Sequence, residues 1–156
     1  MKKWLKGFFK SFRYAVNGIK DTLKRQRNLR FDFIAGAVVL ALAIVLPLST
    51  FEILWIVFSV FVVIVFEMLN SLIEELMDLL YPIFHEKVGR IKDLSAGIVL
   101  VTAVFALSVG LIILGKHLIK APDIFGILAF LIFLIFFCSL FRKEGHDETR
   151  NTSNDM

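Results

Sequence analysis

The sequence predicts an all-α membrane protein, in which an interfacial amphipathic helix precedes a three-span bundle and an additional fourth transmembrane helix. Three observations support this prediction. Hydrophobic residues make up 58% of the 156 residues, which is more than a soluble domain of this size carries. Apolar runs of nearly membrane-spanning length recur along the chain. Ten of the eighteen Lys and Arg residues precede the first of these runs.

The basic arm, residues 1–30, alternates aromatic and cationic side chains. Trp4, Phe8 and Phe12 recur every four residues, with Lys and Arg between them. A helix with this pattern lies on a membrane surface, with its cations facing anionic lipid head groups. Nucleic-acid binding is the alternative for so basic a segment. The apolar runs that adjoin the arm argue against it, and we expect no nucleic-acid partner.

A three-span core is predicted at residues 31–118. The predicted spans cover residues 33–48, 51–69 and 94–114. The helix of the second span is expected to continue to Leu80, because Pro82 cannot extend a helix. A polar linker of basic character, residues 81–92, then precedes the third span.

An extra transmembrane helix is predicted at residues 119–141, and a polar tail without regular structure at residues 142–156. Lys and Arg are concentrated in the arm and in the linker between the second and third spans. The positive-inside rule therefore places the arm, that linker and the tail in the cytoplasm. We expect a multi-pass protein of the bacterial cytoplasmic (inner) membrane.

Polar side chains are concentrated at the cytoplasmic end of the second span. Glu67, Asn70, Glu74 and Asp78 follow at spacings of three, four and four, so they share one helix face. An ionisable group at the edge of a hydrocarbon span is costly, and it indicates a functional site by default. A structural ion pair inside the bundle and a solvated helix end are the alternatives.

These residue types suit phosphate transfer to a lipid. One carboxylate could take the proton from a lipid hydroxyl, and a second could hold Mg²⁺, which needs only one or two carboxylates beside water and phosphate. A lysine such as Lys92 could balance phosphate charge. The chain has neither a phosphate-binding glycine loop nor a protein-kinase motif, so any such activity uses another scaffold.

Four segments resemble the small prokaryotic integral-membrane diacylglycerol kinases, whose Gram-positive branch acts as undecaprenol kinases. The two longest are E-M-L-N-S-L-I-E-E-L-M-D at 67–78 and G-R-I-K-D-L-S-A-G at 89–97. In the arm, S-F-R-Y-A-V-N-G-I-K at 11–20 and R-N-L-R at 27–30 are also similar. The resemblance extends over about residues 8–115.

The resemblance implies a homotrimer of three-span subunits with active sites shared between neighbours. It also implies ATP and Mg²⁺ as co-substrates and a membrane lipid alcohol, diacylglycerol or undecaprenol, as the acceptor. On the matching positions Glu67 is the general base, Asn70 shapes the site and Glu74 binds the metal. The remaining residues expected at the nucleotide are Tyr14, His85, Lys92 and Asp93.

One departure from the family pattern concerns the metal site. Gln26 stands where the family usually has a glutamate that shares the metal with Glu74. A neutral amide still offers one oxygen but removes a charge. Three outcomes stay open: weaker Mg²⁺ binding, a shift of the metal toward Asp32 or Glu75, or a non-catalytic membrane scaffold or regulator. A transporter is disfavoured, since the carboxylates gather at one interface rather than along a path across the bilayer.

Overall fold

A computed structural model describes the backbone of residues 2–83 and 85–154, and the side chains of residues 7–83 and 85–139. The described chain forms five helices and no strand. In chain order they are α1 (Lys2–Arg25), α2 (Arg27–Val45), α3 (Thr50–Leu80), α4 (Glu86–Ile119) and α5 (Ile124–Asn154). The all-α prediction is confirmed.

Three of the described helices, α2, α3 and α4, are long and apolar enough to cross a membrane. A shorter apolar stretch, Ile124–Ser139, begins α5. It rises about 24 Å at 1.5 Å per residue, against a hydrocarbon thickness of about 30 Å. Large apolar side chains on these helices are exposed, as expected for helices surrounded by lipid. The chain is therefore a multi-pass membrane protein.

The helix α3 ends at Leu80, as predicted, whereas two other helices begin before the predicted membrane spans. α2 begins at Arg27 and α4 at Glu86, each several residues before its apolar run. The first turn of α4 is polar and carries an ion pair between Arg90 and Glu86, with 2.5 Å between Nη2 and Oε1. Much of the polar linker is consequently helical. Hydropathy marks the edge of the hydrocarbon, whereas capping and side-chain pairing decide where the helix ends.

The expectation for the polar tail was wrong through Asn154, because α5 continues to that residue. Extending an existing helix needs no new nucleus, and the Arg, Lys and Glu residues of this segment are good helix formers. Residues 155–156 lie outside the described part of the chain.

The chain divides into two compact units, residues 1–102 and 103–156. In the first, α1 and α3 both pack on α2. Gly36 of α2 lies against Val60 of α3, where an added Cβ would come within 2.7 Å of Val60 Cγ1. The small residue therefore permits the close approach of these two helices.

The turn before α3 is fixed by a capping box. The Ser49 hydroxyl accepts a hydrogen bond from the Glu52 backbone N–H at 3.3 Å, and the Glu52 carboxylate accepts one from the Ser49 N–H at 2.8 Å. The box satisfies backbone donors that the first turn leaves unpaired. In the second unit, Gly126 of α5 lies against Ile112 and the Ser108 carbonyl of α4.

Candidate active site

The polar stripe of α3 runs from buried to exposed along the helix. Glu67 is 4% and Asn70 7% exposed, Glu74 is half-buried and Asp78 is exposed. The sequence spacing predicted the shared face. The exposures show in addition that neighbouring helices enclose Glu67 and Asn70, whereas Asp78 is open to solvent.

Asn70 connects α3 to α4 through a buried hydrogen bond. The Ser95 hydroxyl donates to Asn70 Oδ1 at 2.6 Å, and Asn70 Nδ2 donates to Glu74 Oε1 at 3.3 Å. Ser95, Asn70 and Glu74 thus form a continuous chain of hydrogen bonds. It orients the carboxylate that the sequence singled out as a metal ligand.

A second link between α3 and α4 is ionic. Lys92 Nζ lies 2.5 Å from Asp78 Oδ1, and the Lys92 carbonyl is 2.8 Å from the Ser95 hydroxyl. The start of α4 therefore meets the stripe of α3, while the contact of Lys92 with a nucleotide stays a prediction. Asp93 is exposed, and among the described side chains it takes no part in either link between α3 and α4.

Glu67 opens into a cleft of about 390 Å³ formed by α2, α3 and α4. The cleft is lined by Arg27, Asn28, Phe31, Asp32, Glu67 and Val99. Asn28 and Asp32 of α2 therefore share this cleft with the Glu67 carboxylate. A carboxylate, an amide and a guanidinium around one cleft could receive a hydroxyl group and remove its proton.

Two of the predicted nucleotide contacts lie away from this stripe in the described side chains. Tyr14 is exposed on α1, and Lys10 Nζ lies 5.8 Å from the centre of its ring. His85 precedes α4, where its Nδ1 accepts a hydrogen bond from the Lys87 N–H at 3.2 Å. That bond caps the helix. Contact of Tyr14 and His85 with a nucleotide stays a prediction.

Gln26 occupies the break between α1 and α2. Its backbone is extended, with φ −93° and ψ 115°, and its side chain makes no capping hydrogen bond. The adjacent Arg25 reaches α3, with 3.3 Å between its Nη2 and Glu75 Oε1. This ion pair fixes the end of the arm against α3. A shared metal between Gln26 and Glu74 stays a prediction.

The carboxylates of this region are too few for a metal site built from protein ligands alone, but they are enough for Mg²⁺. In the described part of the chain, no group of three or more His, Cys, Asp and Glu residues could hold a metal ion. Mg²⁺ does not need such a group, because it keeps several waters and binds through one or two carboxylates plus substrate phosphates. Glu74 offers one such carboxylate, and the contribution of Gln26 stays a prediction.

Three residues of this region were missed or undervalued from the sequence. Asp32 entered only as a substitute for Gln26, and Asn28 and Ser95 did not enter as site residues. Asn28 and Asp32 are four residues apart, one turn of α2, and Ser95 lies one turn after Lys92. Those spacings were the only sequence signal that these residues belong to the site. The spacing does not show which neighbouring helix each side chain faces, because that is decided by packing.

The family model for prokaryotic diacylglycerol kinase matches residues 13–114. Every site residue predicted from the sequence falls within that range. The match ends before the start of α5 at Ile124, so the last helix lies outside it.

The curated relatives are named undecaprenol kinase or diacylglycerol kinase. The undecaprenol kinase of Bacillus subtilis (strain 168) is 36% identical over 111 residues, which are 70% of this chain and 89% of that protein. A diacylglycerol kinase of Synechocystis is 34% identical over 101 residues, 64% of this chain and 58% of the relative. That of Escherichia coli (strain K12) is 27% identical over 104 residues, 67% and 85% of the two chains.

Proposed function

Because the chain belongs to the prokaryotic diacylglycerol kinase family, and is therefore a lipid kinase, we propose that it transfers the γ-phosphate of ATP to the hydroxyl of a membrane lipid with the help of Mg²⁺. The observation that carries the proposal is the buried Glu67 carboxylate in its cleft. One turn further along α3, Asn70 and Glu74 form the chain of hydrogen bonds that reaches α4.

Glu67 is the general base of the proposed reaction. The lipid hydroxyl enters the cleft from the bilayer, and the Glu67 carboxylate accepts its proton as the oxygen attacks the γ-phosphate. Asn28 lines the same cleft, and its amide is proposed to hold the carboxylate in position. The bond from phosphorus to the bridging oxygen breaks, and ADP leaves with the electron pair. In such transfers the protein contributes mainly positioning and charge stabilisation.

Glu74 and Gln26 would hold Mg²⁺, and Asn70 would keep Glu74 oriented. When bound, the metal neutralises charge on the phosphates. Lys92 and Asp93, at the start of α4, are proposed to face the nucleotide, with Tyr14 and His85 as further contacts. Lys92 is half-buried and pairs with the more exposed Asp78, so its ammonium can exchange that partner for a phosphate.

The proposed assembly is a homotrimer in the bacterial cytoplasmic membrane. Tyr14 and His85 are both exposed and so remain available to a neighbouring subunit. The acceptor is diacylglycerol or undecaprenol. The 36% and 34% identities to an undecaprenol kinase and a diacylglycerol kinase support each about equally.

The proposal is tested by presenting detergent-purified protein with labelled ATP and each lipid in turn. We expect label in at least one lipid, and we expect chelation of Mg²⁺ to abolish the transfer. Comparison of the two lipids at equal mole fraction in the micelle identifies the acceptor. A folded preparation that labels neither lipid contradicts the proposal and favours a non-catalytic scaffold or regulator.

A further inference from the structure

Ser95 occupies an unusual position for a serine in a membrane-spanning helix. It is 4% exposed, and its hydroxyl faces two acceptors, Asn70 Oδ1 at 2.6 Å and the Lys92 carbonyl at 2.8 Å. A hydroxyl has one proton to donate. Only one of the two acceptors can therefore receive a full hydrogen bond.

The orientation of the Asn70 amide decides which acceptor receives the proton. An ionised Glu74 carboxylate can only accept, so Asn70 must turn its NH₂ group toward Glu74 and its oxygen toward Ser95. The Lys92 carbonyl lies inside α4 and already has a helical donor four residues on. The Asn70 oxygen, by contrast, is buried and depends on Ser95.

We propose that Ser95 is a positioning residue of the kinase site, acting through Asn70 on the Glu74 carboxylate. The inference rests on the proposed function, in which Glu74 binds Mg²⁺. Glu74 selects which way the amide faces, but its bond to Asn70 is long at 3.3 Å, so the shorter bond of 2.6 Å to Ser95 anchors the other end of the amide. Removing the hydroxyl leaves a buried acceptor unpaired, and Asn70 then turns to find another donor.

The dependence of Glu74 on Ser95 and Asn70 matters more in this chain because residue 26 is a glutamine and not a glutamate. With a neutral side chain there, Glu74 is the only carboxylate of the proposed pair of metal residues. Charge at the metal site then comes from one side chain, whose direction is set by Asn70. A displaced Glu74 has no second carboxylate in that pair to offset the loss.

The test is Ser95→Ala, with Ser108→Ala as the matched control. Both serines are buried in α4, but the Ser108 hydroxyl bonds only within its own helix, to the Val104 carbonyl at 2.8 Å. We expect Ser95→Ala to raise the Mg²⁺ concentration for half-maximal phosphate transfer about tenfold, the usual loss when a partner of a metal ligand is removed. The KM for the lipid should stay unchanged, and Ser108→Ala should behave as the wild type.

Direct binding provides a readout that does not require turnover. Mn²⁺ binding in the presence of a non-hydrolysable ATP analogue, followed by electron paramagnetic resonance, should weaken by the same factor in Ser95→Ala. In an Asn70→Ala background, Ser95→Ala should cause no further loss, because its effect passes through Asn70.

The inference is overturned if Ser95→Ala shifts the Mg²⁺ requirement no more than Ser108→Ala, or if its effect on Mn²⁺ binding adds to that of Asn70→Ala. A separate variant, Glu74→Gln, tests the underlying function. If it leaves the Mg²⁺ requirement unchanged, both the metal role of Glu74 and the role of Ser95 are wrong. If the wild type transfers no phosphate, the proposed function fails. Mn²⁺ binding is then the measurement that shows whether Ser95 positions Glu74.

Discussion

Two residues set the charge around the proposed metal: Gln26, at the break between α1 and α2, and Glu74, on α3. Gln26 supplies an oxygen without a charge, whereas Glu74 supplies both. Asp32, in the cleft with Glu67, adds a second carboxylate near the general base rather than at the break. At the break itself, the carboxylate of Glu75 lies 3.3 Å from the guanidinium of Arg25, which already balances its charge.

We expect Gln26→Glu to strengthen Mg²⁺ binding. One additional unit charge about 4 Å from a divalent ion is worth about 2 kcal/mol at the dielectric constant of water, so the Mg²⁺ concentration for half-maximal transfer should fall about 30-fold. The measurement is a Mg²⁺ titration of lipid phosphorylation. Asn17→Asp is the control, since it adds the same charge at an exposed position of α1. Equal titrations for the two variants contradict a metal role for residue 26.

The sequence predicted those site residues that lie on one face of a single helix. The shared face of Glu67, Asn70 and Glu74 follows from the period of a helix, because all three lie on α3. Ser95 and Asn28 were not predicted. Each contributes through a contact with another helix, and spacing within one segment does not encode which side chains of two helices meet.

The helices α2, α3 and α4 are held together by a small residue, a buried hydrogen bond and a more exposed ion pair. α2 meets α3 at Gly36, while α3 and α4 are joined by the Ser95–Asn70 hydrogen bond and the Lys92–Asp78 ion pair. Hydropathy predicted which segments are helices but placed the start of α4 too late. The polar first turns of α4, which carry Lys92, are the part of that helix that enters the site.

Gly36→Ala should destabilise the contact between α2 and α3. Its Cβ would lie 2.7 Å from Val60 Cγ1, and the branched Val60 side chain has little freedom to move away. We expect a loss of about 1–2 kcal/mol in unfolding free energy, with overpacking outweighing the better helix propensity of Ala. Titration with a denaturing detergent measures it.

Gly110→Ala is the control for this prediction. Gly110 lies in α4, and nothing lies within 4 Å of a Cβ added there. That substitution should leave stability unchanged or raise it. In a Val60→Ala background the cost of Gly36→Ala should be smaller. Equal effects at Gly36 and Gly110 would show that the close approach of α2 and α3 carries no strain.

For the whole molecule, the fold class and the family could be predicted from sequence, because apolar spans and a long polar motif are local features. The helical extent of the tail could not, since hydropathy turns polar near residue 142 while the helix α5 continues to Asn154. The match to the family ends at residue 114, before α5 begins at Ile124. The catalytic proposal accordingly depends on α1 to α4 alone.

The most direct measurement compares phosphate transfer by wild-type protein, Glu67→Gln and Glu86→Gln in the same detergent. Glu86 is an exposed carboxylate of α4, paired with Arg90, and serves as the control. We expect Glu67→Gln to lower the rate about 10³-fold, as for loss of a general base, with the oligomer unchanged in size-exclusion chromatography, and Glu86→Gln to match the wild type. A Glu67→Gln protein that phosphorylates lipid at the wild-type rate contradicts the proposed active site.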